Sequence, residues 1–314
     1  MLPVLTVHLY SQEDSTGEGS AFTPGFLFVG EFVNNFRGGI ETGSRYLGLI
    51  DASLHFNLDR AGLINGGELY LQFEHTHGGT PTADLVGDFQ AFSNIENGNY
   101  YFYLYEFWYK NFFGNLSFQA GVIDLNVDFL ASDNGGLYAN SSFGIIPAAS
   151  MNIPVPIFPK NALGVVIGYD INKSLKIQTS VFDGDPASLD DQENGLDFQL
   201  SSDQGFLSVT EFHVNSTVSN GIYKLGFAYH SGTFVQVVDS SEKKGNMAIY
   251  SIIDKEILID KLKAFLLIGW TPEDYNYNSL FFGGGINLSA PLFERDDDML
   301  GLAFAYAHLS NTFY

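Results

Sequence analysis

Glu106 and Trp108 stand two residues apart in the segment Tyr101–Lys110. In an extended chain, that spacing puts a carboxylate and an indole on one face, about 7 Å apart. Such a pair offers a polyhydroxylated solute a hydrogen-bond acceptor and an apolar ring face. The same parity adds Lys110. Neighbouring segments contribute Arg45, Asp51, Ser53 and His55, then Glu68, Tyr70, Gln72 and Glu74. Gln119, Lys176, Gln178, Glu211, His213, Lys224 and His230 continue the series, and Asp124 and Asp133 lie in the long connection after it. Any one of them alone is most simply a solvated polar residue; a shared face makes them a candidate binding surface.

Other chemistry is weakly supported. His75-Thr76-His77 presents two imidazoles but no third ligand, and reads better as a strand end. Asp183-Gly184-Asp185 with Asp190 and Asp191, and the run Asp296–Asp298, do not follow the spacing of a calcium-binding loop. No nucleophile elbow or comparable signature frames a serine. No catalytic residue, metal or cofactor is expected.

The elements that must position the polar face follow from a two-residue alternation. Leu69, Leu71 and Phe73 interleave with Glu68, Tyr70, Gln72 and Glu74, and Tyr101, Tyr103, Tyr105, Phe107 and Tyr109 with Glu106, Trp108 and Lys110. Alternate side chains of a strand point to opposite faces, so each sheet face is uniform: one oily, one polar. Closed on itself, such a sheet is a transmembrane antiparallel β-barrel with a wet interior. The 29 Phe and 17 Tyr in 314 residues, at a mean hydropathy of only +0.04, fit an aromatic lipid-facing band offset by a polar lumen. Acidic residues outnumber basic ones 36 to 14, and the net charge is -22, which argues against a nucleic-acid partner. It also disfavours anionic solutes and tolerates neutral ones and cations. The absence of cysteine is compatible with an oxidising periplasm. No apolar run approaches the roughly 18–20 residues of a spanning helix.

Alternation and turn residues predict about thirteen strands of about ten residues. They fall near 25–35, 44–57, 66–76, 99–111, 114–124, 162–170, 174–183, 205–215, 220–231, 245–254, 262–271, 278–289 and 300–310. Tight turns alternate with long polar connections at 77–98, 125–161, 184–204 and 232–244, the pattern of short periplasmic turns and longer external loops. The longest, 125–161, is expected to fold inward and narrow the pore. Residues 1–24 are expected to be an N-terminal periplasmic segment without a visible signal peptide, and 25–314 the barrel. An odd strand count leaves the first and last strands as unpaired edges. Such a count is expected of a chain that stops short of its last strands.

Several segments resemble the carbohydrate-selective porin family of the OprB type. They are Gly38-Gly39 with Ser44-Arg45-Tyr46-Leu47-Gly48, Asn57-Leu58-Asp59-Arg60-Ala61-Gly62-Leu63, Val86-Gly87-Asp88-Phe89-Gln90 with Ser93-Asn94-Ile95, and Tyr103-Leu104-Tyr105-Glu106-Phe107-Trp108-Tyr109. Gly121-Val122-Ile123-Asp124 with Phe129 and Ser132-Asp133, Asn140-Ser141-Ser142-Phe143-Gly144, Val181-Phe182-Asp183-Gly184 and Arg295-Asp296-Asp297-Asp298 continue it. The resemblance implies an outer-membrane barrel of about sixteen strands in a Gram-negative-type cell. It also implies passive diffusion of carbohydrates, neutral monosaccharides such as glucose, into the periplasm. The expected partners are carbohydrate solutes and outer-membrane lipid, with a homo-oligomer compatible. Two other readings compete: a barrel enzyme with a rim site, for which His230 and Asp239 lie near one edge, and a structural or adhesion barrel.

Overall fold

The computed structural model describes residues 9–12, 20–98, 102–186, 204–236, 239–289 and 298–310, and they form two compact units. The first unit comprises residues 1–124, 156–165 and 186–199. It holds β1 (Leu9–Gln12), β2 (Phe22–Asn35), β3 (Gly43–Asn57), β4 (Gly67–Gly78), β5 (Phe102–Phe113) and β6 (Leu116–Ile123), each antiparallel to its sequence neighbour. β7 (Ala162–Asn172) begins in this unit. The second unit comprises residues 125–155, 166–185 and 200–314. It holds the rest of β7, then β8 (Leu175–Asp183), β9 (Phe206–Ser216), β10 (Gly221–Val235), β11 (Glu242–Leu258), β12 (Leu262–Trp270), β13 (Asn278–Ser289) and β14 (Met299–Leu309). From β8 onward each strand pairs antiparallel with the next.

The thirteen predicted strands correspond one to one with β2–β14. β1 is additional: its four residues pair with Leu27–Gly30 of β2. The first predicted strand is therefore not an open edge along that stretch. A four-residue strand is too short for alternation to reveal.

Each strand shows two faces. On β9 to β13, Phe212, Leu225, Phe227, Ile249, Ile268, Phe282 and Ile286 are exposed, while Glu211, Tyr250, Asp254, Gly269 and Asn287 of the opposite parity are buried or sheltered. Contiguous exposed apolar side chains on this scale are untenable in water and are what a lipid-facing sheet presents.

The parity rule fails at one point. Gln72 pairs with Glu106, yet Phe73 pairs with Leu104, so Tyr105 is an extra residue: a β-bulge. The alternation reverses across it. Tyr103 and Tyr105, expected on the lipid-facing parity, are 2% and 5% exposed and turn to the polar face together with Glu106 and Trp108. Tyr101 lies outside the described residues.

Among the connections, the turns at 114–115, 173–174, 217–220 and 259–261 are tight. The connection expected over 232–244 is shorter than predicted. Beyond a second irregularity after His230, Thr233, Phe234 and Val235 pair with Lys244, Lys243 and Glu242, leaving only 236–241 as loop. Most of the 184–204 connection lies outside the described residues.

Candidate functional site

In the first unit, the predicted polar face forms one connected network. Tyr70 donates to Gln72 Oε1 at 2.9 Å, and Gln72 Nε2 donates to Asp51 Oδ2 at 2.7 Å and to Glu74 Oε1 at 3.2 Å. Tyr103 donates to Glu74 Oε2 at 2.9 Å, and Tyr105 donates to Asp124 Oδ2. The Asp124 backbone N–H donates to Glu106 Oε1 at 3.0 Å. Tyr103 and Tyr105 meet edge to face at 6.2 Å, joining the two halves. The bulge is held from the loop side, where Asn161 Nδ2 donates to the Tyr105 carbonyl at 2.6 Å. Side-chain hydrogen bonds contribute about 0.5–1.5 kcal/mol each, so the network fixes the rotamers of its carboxyl groups. Asp51 Oδ1 is buried and has no hydrogen-bond partner among the described residues.

Beside this row, Tyr70 and Trp108 stack across β4 and β5, centroids 5.0 Å apart and planes 25° from parallel. Trp108 pairs on its other side with Gly121, whose φ of +146° and close approach to the Trp108 backbone leave no room for a side chain. The sequence therefore places a residue without Cβ where the indole's strand needs close packing. The sites predicted at Asp51, Gln72, Glu74, Glu106, Trp108 and Asp124 are thus brought together. Tyr103 and Tyr105 were missed because a bulge leaves no mark in the alternation.

Glu68 and Lys110 lie further toward the tight-turn end. They pair across β4 and β5, and Glu68 is 3.3 Å from His55 Nε2. Arg45 is at the opposite end, where its Nε donates to Asp84 Oδ2 at 2.8 Å in the connection after β4. The same connection is capped by Glu96, which accepts from the Thr82 N–H and hydroxyl; burial pushes its carboxyl up. The hydrogen bond from Arg45 holds the Asp84 carboxyl below its ordinary value. A depressed folded-state pKa gives stabilisation that is complete above the ordinary carboxylate range and is lost as pH falls through the lowered value. Asp84→Asn is therefore expected to loosen the 79–98 connection at neutral pH, with the difference from wild type vanishing under strong acid. Limited proteolysis across pH checks it: a difference that grows on acidification would contradict the tie.

In the second unit, the segment 125–155 lies along the polar face, crossing one strand after another. Gln178 on β8 donates to the Asp128 carbonyl, and Glu211 on β9 accepts from Leu130 N at 2.8 Å. Lys224 on β10 donates to the Ala131 carbonyl at 2.7 Å. Asp254 on β11 takes the tip: Oδ1 accepts from Ser132 Oγ at 2.6 Å, Asn134 Nδ2 at 3.0 Å and Asn134 N at 3.1 Å, and Oδ2 from Asp133 N at 3.3 Å. Asn287 on β13 donates to the Asn134 carbonyl at 2.9 Å. The segment then returns toward the long-loop end. α1 (Leu125–Asp128), α2 (Ser141–Gly144) and α3 (Pro147–Ser150) are single turns along this path, and Asn152 Nδ2 closes it on the Asn278 carbonyl at 2.7 Å. The expected inward fold of the long loop is present for these residues.

Glu211, predicted as a pore-lining residue, is fully buried: it also accepts from Tyr250 at 2.7 Å and meets His213 Nε2 at 2.6 Å. It serves as an anchor for the loop. Asp133 contributes only its backbone N–H to the anchor, and its carboxylate is exposed. The carboxylate that matters there, Asp254, went unnamed, although its inward parity with Tyr250 and Ile252 in an apolar strand was a usable signal.

His75 and His77 project from the opposite parity of β4, stacked at 5.7 Å beside Tyr46. No group of three metal-ligating side chains occurs among the described residues. Gly232 N–H donates to His230 Nδ1 at 3.0 Å, so Nε2 carries the proton and donates to the Gly184 carbonyl at 2.6 Å. Both nitrogens are occupied by backbone, and Asp239 caps Ser241. Asp190, Asp191, Asp296 and Asp297 lie outside the described residues.

Residues 41–314 match the family described as carbohydrate-selective porin, OprB family. Among solved structures, the high-pH structure of Pseudomonas putida OprB superposes with a TM-score of 0.84 at 18% identity, covering 93% of this chain and 76% of that one. The low-pH structure of the same protein gives 0.57 at 13% identity, covering 92% and 78%. No sequence of a curated protein matches. The fold is all-β and antiparallel, of the outer-membrane porin barrel type.

Proposed function

Because the chain belongs to the OprB family of carbohydrate-selective porins, a family of outer-membrane channels rather than enzymes, we propose that it passes neutral monosaccharides such as glucose by diffusion into the periplasm. We place its sugar-contacting surface at Asp51, Gln72, Glu74, Glu106, Trp108 and Asp124, with Tyr70, Tyr103 and Tyr105. The observation that carries this reading is the buried, unpartnered Asp51 Oδ1, linked through Gln72 to the Tyr70–Trp108 ledge. A sugar hydroxyl supplies the missing donor, and the C–H face of its ring packs on the aromatic surface. The remaining carboxylate oxygens are largely committed to the network, so they orient the site and repel anions. The inward segment 125–155 narrows the path and sets the size limit.

Reconstitution in planar bilayers tests the proposal. Glucose is expected to reduce single-channel ion current in a saturable way, and reversal potentials in a salt gradient are expected to show preference for small cations. The sparse arginines, Arg37, Arg45, Arg60 and Arg295, build no anion-selective ladder. A clear anion preference, or current indifferent to sugar, would sink the assignment.

A further inference from the structure

A pocket of about 390 Å³ opens at the tight-turn end of the second unit. Its wall comes from the ends of β9 to β12, including Asn215, Thr217, Glu256 and Lys263, and its other side from the loop tip, Asp133 and Asn134. The pocket has this form because the tip is docked: Asp254, which also lines it, spends both carboxylate oxygens on Ser132, Asp133 and Asn134. Asp254 is thus the support of the site and has little left for a ligand.

The volume is at the small end of the about 300–1,000 Å³ range of small-molecule sites. Its chemistry differs from the aromatic ledge, since no aromatic ring lines it. Lys263 shares the inward parity of Phe265 and Leu267, and its ammonium makes no ion pair among the described residues. Asp133, an exposed residue, lines the same pocket, and Asn215 and Thr217 add amide and hydroxyl groups. Donors and acceptors of both charge signs around a small open space suit a neutral polyol better than an ion of either sign.

We propose that this pocket is a second, ring-free sugar subsite, completed by the docked loop tip, which binds a neutral monosaccharide through hydroxyl hydrogen bonds alone. The inference rests on the channel reading above. Without a stacking surface, occupancy is weak and release is fast, as suits the end of a conduction path. The tight turns mark this as the end of the second unit opposite its long connections.

Glucose block measured with sugar added separately to each side of a bilayer holding uniformly oriented channels tests this. For sugar entering from the tight-turn side, Lys263→Met, Asp133→Ala and Thr217→Val are each expected to raise the half-blocking concentration about fivefold, the scale of one lost hydrogen bond. The ratio between the two sides should shift by the same factor. Unheated gel mobility verifies that each variant folds, and three independent positions guard against one local disturbance. Wild-type block from both sides, with all folded variants unchanged or shifted equally for both, would overturn the subsite while leaving the channel reading intact. No block from either side in the wild type would overturn both.

Discussion

Replacing Asp254 by alanine should raise single-channel conductance severalfold and erase discrimination between mono- and disaccharides. One buried carboxylate receives four hydrogen bonds from the tip of the 125–155 segment, three of them on one oxygen. Removing it leaves the Ser132 hydroxyl and the Asn134 donors without their shared acceptor. Breaking such a buried network typically costs about 3–5 kcal/mol. Glu211 and Asn152 still hold the two ends of the segment, so the tip moves while the barrel wall stays. Asp254→Asn keeps one acceptor and should fall between wild type and alanine. Gly269→Val pushes from a second direction, because a Cβ there would lie 2.5 Å from Ile146 Cγ2 and 2.9 Å from Ala148 Cβ, both on the returning limb. The two substitutions act on one loop segment, so the double variant should conduct little more than the stronger single one. Conductance unchanged in all four variants would place the segment off the conduction path.

The parts of this architecture that repeat were legible in the sequence. Alternation with period two located β2–β14 and assigned Asp51, Glu68, Gln72, Glu74, Gln178 and Glu211 to the polar face, because every one of those strands runs without interruption across the assigned residues. The parts that break the repeat were hidden. A single inserted residue at Tyr105 turned Tyr103 and Tyr105 inward, and nothing in the local composition distinguishes a bulge from a continuing strand. The loop's anchors were hidden for a different reason. That Asp254 receives residues 132–134 depends on a contact about 120 positions away, and a lone aspartate on an apolar strand gives its parity but not its partner. Asp133, by contrast, stood out in a polar loop, yet exposure there left its side chain out of the anchor. Local period is written residue by residue, whereas the docking of a loop on a wall is a property of the fold.

Trp108→Ala should weaken glucose block of the ion current about tenfold while changing the open-channel current far less. An ion passing the ledge is hydrated and indifferent to an apolar ring; a sugar gains from burying its C–H face against one, by about 0.5–1.5 kcal/mol on the scale of aromatic contacts. Truncation here removes more than one ring surface. Tyr70 loses its partner at 5.0 Å, and Tyr70 also orients Gln72, which in turn holds Asp51. The loss therefore reaches the hydrogen-bonding half of the site, which brings the expected total to about 1.4 kcal/mol, a factor of ten. Trp108→Phe keeps a stacking surface for both Tyr70 and the sugar and should recover most of the block. Asp51→Asn separates the two contributions: its amide retains one acceptor for Gln72, so the ledge stays in place while the charge that receives the sugar hydroxyl is lost. Block weakened by Asp51→Asn but not by Trp108→Ala would reduce the ledge to lining. Block and open-channel current falling in equal proportion in Trp108→Ala would show that the indole shapes the pore without recognising the solute.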